Sequence, residues 1–409
     1  MKQASIVTIG NEILAGLTVD TNSAFLAIEL QNIGIPVISS YTVGDEIDLI
    51  VQKLNLASFD ADIIVVTGGL GPTDDDLTRQ AFSQFLGVEL EFKEELIEKI
   101  RGVFKSRNFP MPERNRIQAY IPSGAEYIQN VGTAPGILAR HNGKILIALP
   151  GVPWEADKMF KSVIPELKGF AGTQAIEVCR LKCFGAGESA IAEMLGDKML
   201  RGRNPIINCT VHEGIITLHI VASAENKEKA RQMCDNEEKI LREILGDLVY
   251  GSGDETLAEV VSQKLLSQKK TISTAESCTG GLLSKMLTDI PGSSNYFNYG
   301  WITYSNEAKI TQLNVPSDLI EQYGAVSEQV AKAMAHGARK NSGTDFAIAI
   351  TGIAGPAGGS EQKPVGLVYI CIEYDGGCDI RKYLLSFGRE FIRLRAAHTA
   401  LNMLRQRLS

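Results

Sequence analysis

A glycine-rich segment followed by three aspartates could carry phosphate chemistry. It reads GGLGPTDDD over residues 68–76 and directly follows the apolar run Asp62–Thr67. Glycines after a strand let backbone N–H groups approach a phosphate, and the start of a following helix favours an anion. Three carboxylates would repel a bare phosphate, so the segment predicts a divalent cation such as Mg²⁺ between them. Alternatively, it is a tight turn in which Asp76 caps the helix Leu77–Leu86, although one cap accounts for one aspartate only.

A second segment places a serine where a nucleophile could sit. It reads TAESCTGG over residues 274–281, after a predicted strand and before the predicted helix Leu282–Leu287. An oxyanion or phosphate would be stabilised at the start of that helix. The sequence leaves open whether Ser277 is a nucleophile or whether Ser277 or Thr279 only caps the helix.

The base that would activate this serine is best sought in the segment TYSNEAK. The only histidines in this half, His336 and His398, lie within helical patterns, which argues against a Ser-His-Asp triad. A Ser-Lys arrangement with Lys309 and Tyr304 is the economical alternative, and it requires a lowered lysine pKa. Cys278 is the rival nucleophile, although a neighbouring side chain points elsewhere and buried cysteines are commonly inert.

Two further features of this half could hold an anion. The segment ITGIAGP at residues 350–356 repeats the pattern of a strand followed by glycines. Arg389 and Arg393 are four residues apart at the start of the last predicted helix, so they could lie on one face and reach an anion together.

Alternating strand and helix signals over residues 1–170 predict a doubly wound α/β domain. The predicted strands are Ser5–Ile9, Pro36–Val43 and Asp62–Thr67, and the predicted helices are Asn22–Ile33 and Asp48–Ala57. Ligands in such folds bind beyond the carboxyl ends of the strands. Here those ends are Gly10–Glu12, Val43–Asp45 and Gly68–Gly71.

Two further domains are predicted after the first. Residues 175–250 read as a small α+β piece of a size that suits a KH-like module, but they hold ten Lys and Arg against twelve Asp and Glu. A nucleic-acid binder normally has a basic face, so a connector is favoured. Residues 254–409 predict a second α/β domain that closes with the helix Phe391–Leu408.

Composition sets the class of protein. The 409 residues are 44% hydrophobic and 22% charged, with a net charge of −7, which suits a globular protein of two or three domains. The sequence contains no membrane-spanning run and no signal-peptide pattern at its start, so a cytoplasmic protein is expected. Its seven scattered cysteines argue against a disulfide framework and a zinc site.

The motifs GNEILAG, TGGLGPTDDDLT, PERN, GTAPG and LPGVPWE resemble, in this order, the amino-terminal half of the CinA (competence/damage-inducible protein A) family. The resemblance implies a molybdopterin-binding-like fold and ADP-ribose pyrophosphatase activity that uses a divalent metal, helped by K⁺. Water would attack the pyrophosphate and release AMP and ribose 5-phosphate. The residues implied are Asp45 and Asp76 as the acidic catalytic pair, Asp75, Asp76 and Glu155 toward the metal, and Gly68, Gly69, Gly71 and Thr73 toward phosphate.

The motifs AESCTGG, TYSNEAK, GAVS, TGIAGP and KPVG resemble the CinA carboxy-terminal domain, the nicotinamide mononucleotide (NMN) deamidase family. The resemblance implies hydrolysis of NMN to nicotinate mononucleotide and ammonia without a cofactor. Ser277 matches the nucleophile, and Tyr304, Lys309 and Thr351 match its catalytic surroundings. Arg389 matches a residue near the substrate anion, although this chain has Gly388 where the family usually has an acidic residue. The remaining candidates for substrate contact are Thr279, Gly280, Asn306, Gly352, Gly355 and Arg393.

Together the two resemblances predict a two-headed hydrolase that acts on two small nucleotides, NMN and ADP-ribose, and forms a homodimer. One alternative is a module that binds a molybdopterin-type ligand without hydrolysing it. Another is a competence or DNA-repair partner with one or both heads inactive, although the acidic balance argues against direct contact with nucleic acid.

Overall fold

The computed structural model describes residues 2–170 and 175–409, which fall into two compact units. The first unit runs to Glu177 and includes Ser223–Arg231, and the second comprises Val178–Ala222 and Gln232–Ser409. None of the helices in these described ranges combines the length and the apolar character that a membrane span requires.

The amino-terminal part is an α/β fold built on a six-stranded sheet. Its strands are β1 (Ala4–Ile9), β2 (Val37–Val43), β3 (Ile63–Thr67), β4 (Leu90–Phe92), β5 (Tyr120–Pro122), β6 (Glu126–Ile128), β7 (Gly136–His141) and β8 (Lys144–Leu149). Its α-helices are α1 (Asn11–Leu14), α2 (Thr21–Asn32), α3 (Ile47–Asp60), α4 (Thr78–Leu86), α5 (Glu94–Ser106) and α6 (Pro153–Leu167). The sheet has the order β2-β1-β3-β8-β7-β6, and β4 pairs with β5 separately.

The apolar run that ends at Thr67 explains the centre of this sheet. All five residues of β3 are buried, and the strand pairs in parallel with β1 on one side and β8 on the other. Its side chains enter two different cores, because Ile64 and Val66 belong to one and Ile63 and Val65 to the other. The predicted doubly wound arrangement is therefore confirmed for the parallel strands. The outer strands β7 and β6 are antiparallel, which the sequence analysis did not foresee.

The connector is a four-stranded sheet with two helices. Its elements are β9 (Ala175–Cys183), α7 (Glu188–Leu195), β10 (Ile206–His212), β11 (Ile215–Ala224), α8 (Lys227–Leu245) and β12 (Val249–Ser252). The strands lie in the order β10-β11-β9-β12, and β10 pairs antiparallel with β11.

The carboxy-terminal part is a second α/β fold. Its elements are α9 (Leu257–Gln268), β13 (Ile272–Glu276), α10 (Leu282–Thr288), β14 (Phe297–Ile302), α11 (Asn306–Leu313), α12 (Ser317–Tyr323), α13 (Glu328–Ser342), β15 (Phe346–Gly352), β16 (Leu367–Tyr374), β17 (Gly377–Leu384) and α14 (Arg389–Arg407). The sheet order is β14-β13-β15-β16-β17, with the first three strands parallel and the last two antiparallel to their neighbours. The parallel strands end at Glu276, Ile302 and Gly352, so the segments that follow them meet at one edge of the sheet.

Candidate active sites

An acidic cavity lies at the carboxyl ends of β1, β3 and β8. Its volume is about 380 Å³. It is lined by the glycine loop Gly68–Pro72 and by five carboxylates, Glu12, Asp45, Asp75, Asp76 and Glu155. The structure thus brings together the amino-terminal residues that the sequence analysis selected, except Thr73, which lines a neighbouring cavity with Asp74. We call the first space the acidic pocket.

Asp76 organises the glycine loop and does not cap a helix. Its carboxylate accepts hydrogen bonds from the N–H groups of Gly71, at 2.7 Å, and Thr73, at 2.8 Å, and also from the Thr73 hydroxyl. Helix α4 begins after Leu77 without a side-chain cap, so the interpretation of Asp76 as a cap is wrong. Of the four residues predicted to hold phosphate, Gly71 and Thr73 therefore donate their amides to Asp76 in this structure, and a phosphate would compete with that carboxylate for them.

Glycines make room for the other carboxylates. A Cβ atom at Gly132 would lie 2.1 Å from Oε1 of Glu155, and one at Gly10 would lie 2.6 Å from Oε1 of Glu12. Larger residues there would displace the acidic side chains from the pocket. The segments GTAPG and PGVPWE therefore work together, because the first leaves the space that the glutamate of the second occupies.

Two carboxylates of the acidic pocket, Asp45 and Glu155, have raised pKa values. Burial raises the pKa of Asp45, and the nearby charges of Glu12, Asp75 and Asp76 raise it further, while the N–H of Asn11 donates to this carboxylate at 2.9 Å and opposes the rise. Burial also raises the pKa of Glu155. A cation bound beside such carboxylates would stabilise their charged form.

The donor set suits a divalent cation that arrives with a phosphate. Over residues 2–170 and 175–409, no group of three Asp, Glu, His or Cys side chains is arranged to hold a metal by itself. Mg²⁺ is usually bound by one or two carboxylates together with substrate phosphate oxygens and water. One or two of the carboxylates around the acidic pocket could supply such a partial donor set, and the five do not form a preformed metal cage.

The second site centres on Ser277 and Lys309. Ser277 follows β13 and is 9% exposed, and Lys309 projects from α11 and is 1% exposed. Lys309 Nζ lies 3.2 Å from Ser277 Oγ, 2.9 Å from the carbonyl oxygen of Thr303 and 3.3 Å from that of Tyr304. Burial lowers the pKa of Lys309, because desolvation disfavours the ammonium form. In the neutral amine, two N–H groups can satisfy the two carbonyls while the lone pair faces the serine hydroxyl.

The rival nucleophile Cys278 and the two histidines of this half lie in different surroundings. Burial raises the pKa of Cys278 to about 11, so its thiol stays protonated near neutral pH and is a poor nucleophile. His336 contacts Glu373 at 3.2 Å, and the ring of His398 packs edge-on against Phe184.

The two arginines of α14 have different partners. Arg389 donates to the carbonyl of Gly355 at 2.8 Å and to the hydroxyl of Tyr304 at 3.1 Å, so it lies beside the serine site. Arg393 donates to the carbonyls of Cys278 at 3.1 Å and Thr279 at 2.7 Å. Arg393 therefore holds the backbone after the serine and does not point with Arg389 toward a common anion.

The remaining predicted residues surround this edge of the sheet. The Thr351 hydroxyl donates to the carbonyl of Ala325 at 2.9 Å, and Gly352 ends β15. Thr279 is fully buried, and its hydroxyl lacks a hydrogen-bond partner among the described residues. Asn306 begins α11 and is exposed, and Gly280 has a φ of 59° in the turn after the serine.

Glu276, which the sequence analysis did not select, fixes this turn. Its buried carboxylate accepts from the N–H groups of Gly281, at 3.0 Å, Leu283, at 3.1 Å, and Ser284, at 2.7 Å, and from the Ser284 hydroxyl at 2.6 Å. The expectation that the start of α10 stabilises an oxyanion or phosphate is therefore wrong, because Glu276 already takes those donors. Neither Ser277 nor Thr279 caps the helix by its side chain. The sequence does hold one indication of this role, because Glu276 is the only charged residue of the strand ISTAE and stands at its end.

Glu276→Gln is expected to destabilise the carboxy-terminal part by about 2 kcal/mol, because an amide would place its own N–H groups against backbone donors. The chain has two tryptophans, Trp154 and Trp301, so a Trp154→Phe background leaves Trp301 to report urea unfolding of this part. The exposed Glu321→Gln serves as the matched control, with a change below about 0.5 kcal/mol. An unfolding midpoint for Glu276→Gln equal to that of its parent would refute the role of this carboxylate.

Three family models match the chain in succession. They are described as "Probable molybdopterin binding domain" at residues 5–169, "Damage-inducible protein CinA KH domain" at 180–251 and "CinA C-terminal domain" at 254–408. The α/β, KH-like and α/β order predicted from the sequence is therefore confirmed.

Relatives that match this chain over nearly their whole length are named competence-damage inducible proteins. A competence-damage inducible protein of Caldicellulosiruptor bescii is 41% identical over 99% of this chain and 99% of its own, and one of Clostridium perfringens is 42% identical over the same shares. A solved structure of a competence/damage inducible protein from Agrobacterium tumefaciens is 45% identical, with a TM-score of 0.36, and covers 36% of this chain and 91% of its own. On the full-length matches and the three family models, the chain belongs to the CinA family.

Proposed function

We propose that the chain is a bifunctional hydrolase of pyridine-nucleotide breakdown products, which deamidates NMN at Ser277 and hydrolyses ADP-ribose in the acidic pocket. The observation that carries the first activity is the buried Lys309 amine, which contacts Ser277 Oγ and two backbone carbonyls. A lysine held in this way, with a lowered pKa, can accept the serine proton.

The deamidation proceeds through an ester on the serine. Lys309 Nζ takes the proton of Ser277 as Oγ attacks the amide carbon of NMN. The carbon–nitrogen bond then breaks, and Lys309 returns the proton to the departing ammonia. Water next attacks the ester with Lys309 again as the base, and nicotinate mononucleotide leaves as the serine recovers its proton.

Arg389 and Tyr304 are proposed to position the nucleotide at this site. Arg389 lies beside the serine site through its bonds to Tyr304 and Gly355, and Tyr304 is 60% exposed. A guanidinium there can bind the NMN phosphate while the amide reaches Ser277. Because Gly388 precedes Arg389, no acidic side chain at that position would compete for it.

In the acidic pocket, Asp45 is proposed to accept the proton of the attacking water, and carboxylates among Asp75, Asp76 and Glu155 would hold the divalent metal together with substrate phosphate. The metal, when bound, neutralises phosphate charge and makes the phosphorus more electrophilic. Backbone amides of the glycine loop would orient the phosphate. One phosphorus–oxygen bond of the pyrophosphate breaks as the oxygen of water adds, which gives AMP and ribose 5-phosphate.

The match to a molybdopterin-binding family favours one alternative for this pocket, a site that binds a pterin without turnover. Pterin binding in EDTA, with no ADP-ribose hydrolysed in Mg²⁺, would favour that alternative. The direct test is to assay one purified preparation for ammonia from NMN and for AMP from ADP-ribose, with and without EDTA. The expected result is ammonia in both conditions and AMP only when metal is present.

The homodimer, the help of K⁺ in ADP-ribose hydrolysis and the cytoplasmic location remain predictions from the family resemblance and the composition. Size-exclusion chromatography with light scattering would test the first, and replacement of K⁺ by Na⁺ in the ADP-ribose assay would test the second.

A further inference from the structure

The turn between α12 and α13 is held by a lysine from another part of the chain. We call residues 323–327 the GAVS turn. Lys363 Nζ donates to the carbonyl of Tyr323 and, at 2.8 Å, to that of Val326. A Cβ atom at Gly324 would lie 2.9 Å from Lys363 Nζ, so this glycine leaves room for the ammonium. The motifs GAVS and KPVG therefore act together, because the lysine of the second holds the turn formed by the first.

The GAVS turn reaches the serine site through Thr351. The Thr351 hydroxyl donates to the carbonyl of Ala325 at 2.9 Å, which is its one hydrogen bond within the described ranges. Glu276 pairs with Ile350 in the parallel ladder of β13 and β15, and the Ser277 N–H donates to the carbonyl of Ile350 at 2.9 Å. Ser277 and Thr351 are therefore neighbours on the same face of the sheet.

The contact with Ala325 decides what the Thr351 hydroxyl presents to the serine. Thr351 is fully buried, so its proton needs an acceptor inside the protein. With the proton on the Ala325 carbonyl, the Thr351 oxygen faces its other neighbours only as an acceptor. If that carbonyl moved away, the proton would turn to another acceptor, and Ser277 Oγ lies on the neighbouring strand. A hydrogen bond donated to Oγ would take up a lone pair with which the serine attacks.

Lys363 fixes the Ala325 carbonyl from both sides. The four carbonyls of residues 323–326 each have a donor, and the Ser327 hydroxyl serves that of Gly324 at 2.9 Å. Lys363 serves the first and the last of the four, so the peptide groups on both sides of Ala325 are held by one ammonium. Hydrogen bonds from a charged donor are about twice as strong as those between neutral groups.

We infer that Lys363 is a positioning residue for the serine site, because it holds the GAVS turn so that the Ala325 carbonyl takes the Thr351 proton and leaves Ser277 Oγ free to attack. The inference rests on the proposed deamidation. The Lys363 ammonium is occupied by two backbone carbonyls, so its loss should slow the attack of the serine more than it weakens NMN binding.

The test is a double-mutant cycle with Lys363→Met and Thr351→Val. For Lys363→Met alone, kcat for NMN deamidation is expected to fall about tenfold, with KM within about threefold of wild type. In a Thr351→Val background, which has no hydroxyl proton to place, the same change should lower kcat less than about twofold. Lys382→Met, at an exposed position of β17, is the control and should leave kcat unchanged.

Two outcomes of the cycle would overturn the inference. The first is a kcat for Lys363→Met equal to that of wild type. The second is an equal loss of kcat in both backgrounds, which would mean that Lys363 only supports the fold. Should Lys363→Met not fold, the cycle is run with Lys363→Gln, which shortens the side chain and removes its charge, and the same outcomes decide.

The reaction of Ser277 with phenylmethylsulfonyl fluoride separates this inference from the proposed activity. Oγ attacks sulfur and displaces fluoride, Lys309 takes the serine proton, and mass spectrometry detects the sulfonate ester. If wild type is modified at Ser277 about tenfold faster than Lys363→Met, the inference stands even where NMN is not deamidated. Equal rates of modification overturn it. If wild type neither deamidates NMN nor reacts with the reagent, both the inference and the proposed activity fail.

Discussion

Lys309→Met is expected to lower the rate of NMN deamidation about 1,000-fold while the protein remains folded. The change removes the amine that faces Ser277 Oγ and leaves an apolar side chain of similar length in the same buried position. The change removes the cost of burying the amine but also removes the donor to the carbonyls of Thr303 and Tyr304, so a loss of stability of about 1–3 kcal/mol is expected. Stopped assays of ammonia at saturating NMN measure the rate, and Lys340→Met, at an exposed position of α13, is the matched control.

The pH dependence of the same reaction provides a second observable. Only the neutral amine can accept the serine proton, so kcat/KM should rise with pH through the pKa of Lys309. Burial lowers that pKa, so the rise should be centred below 10.5, the ordinary value for lysine. In Lys309→Met this limb should disappear. A variant that keeps at least a tenth of the wild-type rate, or keeps the limb, would exclude Lys309 as the base.

Asp45→Asn is expected to reduce metal-dependent ADP-ribose hydrolysis at least about 100-fold and to leave NMN deamidation unchanged. Asp45 is a partly buried carboxylate of the acidic pocket, and its amide counterpart cannot take a proton from water. Asp74→Asn is a close control, because Asp74 stands next to the pocket residues Asp75 and Asp76 in sequence but lines the neighbouring cavity. Its rate should stay within about twofold of wild type.

On acidification, ADP-ribose hydrolysis should be lost at a higher pH than the titration of an exposed aspartate would give. Burial, together with the charges of Glu12, Asp75 and Asp76, raises the pKa of Asp45, so its carboxylate is protonated at a higher pH than an exposed aspartate. The wild-type rate should therefore fall on the acid side at a pH above 3.8, the ordinary aspartate value, and a bound cation would move that fall downward. Equal losses in Asp45→Asn and Asp74→Asn would contradict a specific role for Asp45 and would mean that the carboxylates of this region act only through their total charge.

The central strands and both glycine turns could be predicted because their signals are local. The apolar run of β3 is buried on both faces, and the glycines follow it directly in sequence. The pairing of Ser277 with Lys309 was also accessible, because the two histidines of this half lie in helical patterns and Lys309 stands in the polar segment TYSNEAK. The polar edge strand β17 and the exposed edge strand β14 gave no such signal.

Residues whose role depends on loop geometry could not be predicted. The carboxylate of Asp76 turns back to the amides of Gly71 and Thr73, and no periodicity encodes that turn. The spacing of Arg393 from Arg389 predicts that both lie on one face of a helix. However, α14 passes close to the backbone at Thr279, and the guanidinium of Arg393 donates to the carbonyl there. Arg79 reads in the sequence as one more polar residue of an amphipathic helix, and only the fold shows that it is buried behind the glycine loop, where it donates to the carbonyls of Leu70 and Gly71.

Ammonia release from NMN by wild type and Ser277→Ala, with ADP-ribose hydrolysis followed in the same preparations, tests the two-headed account most directly. Cys278→Ala tests the neighbouring thiol, and Ser267→Ala, at an exposed position on α9, is the control for a lost hydroxyl. The account predicts that only Ser277→Ala loses deamidation, about 1,000-fold or more, and that all four proteins keep metal-dependent ADP-ribose hydrolysis. If wild type releases no ammonia, or if Ser277→Ala releases it at the wild-type rate, the assignment of the carboxy-terminal domain as an NMN deamidase with a serine nucleophile is contradicted.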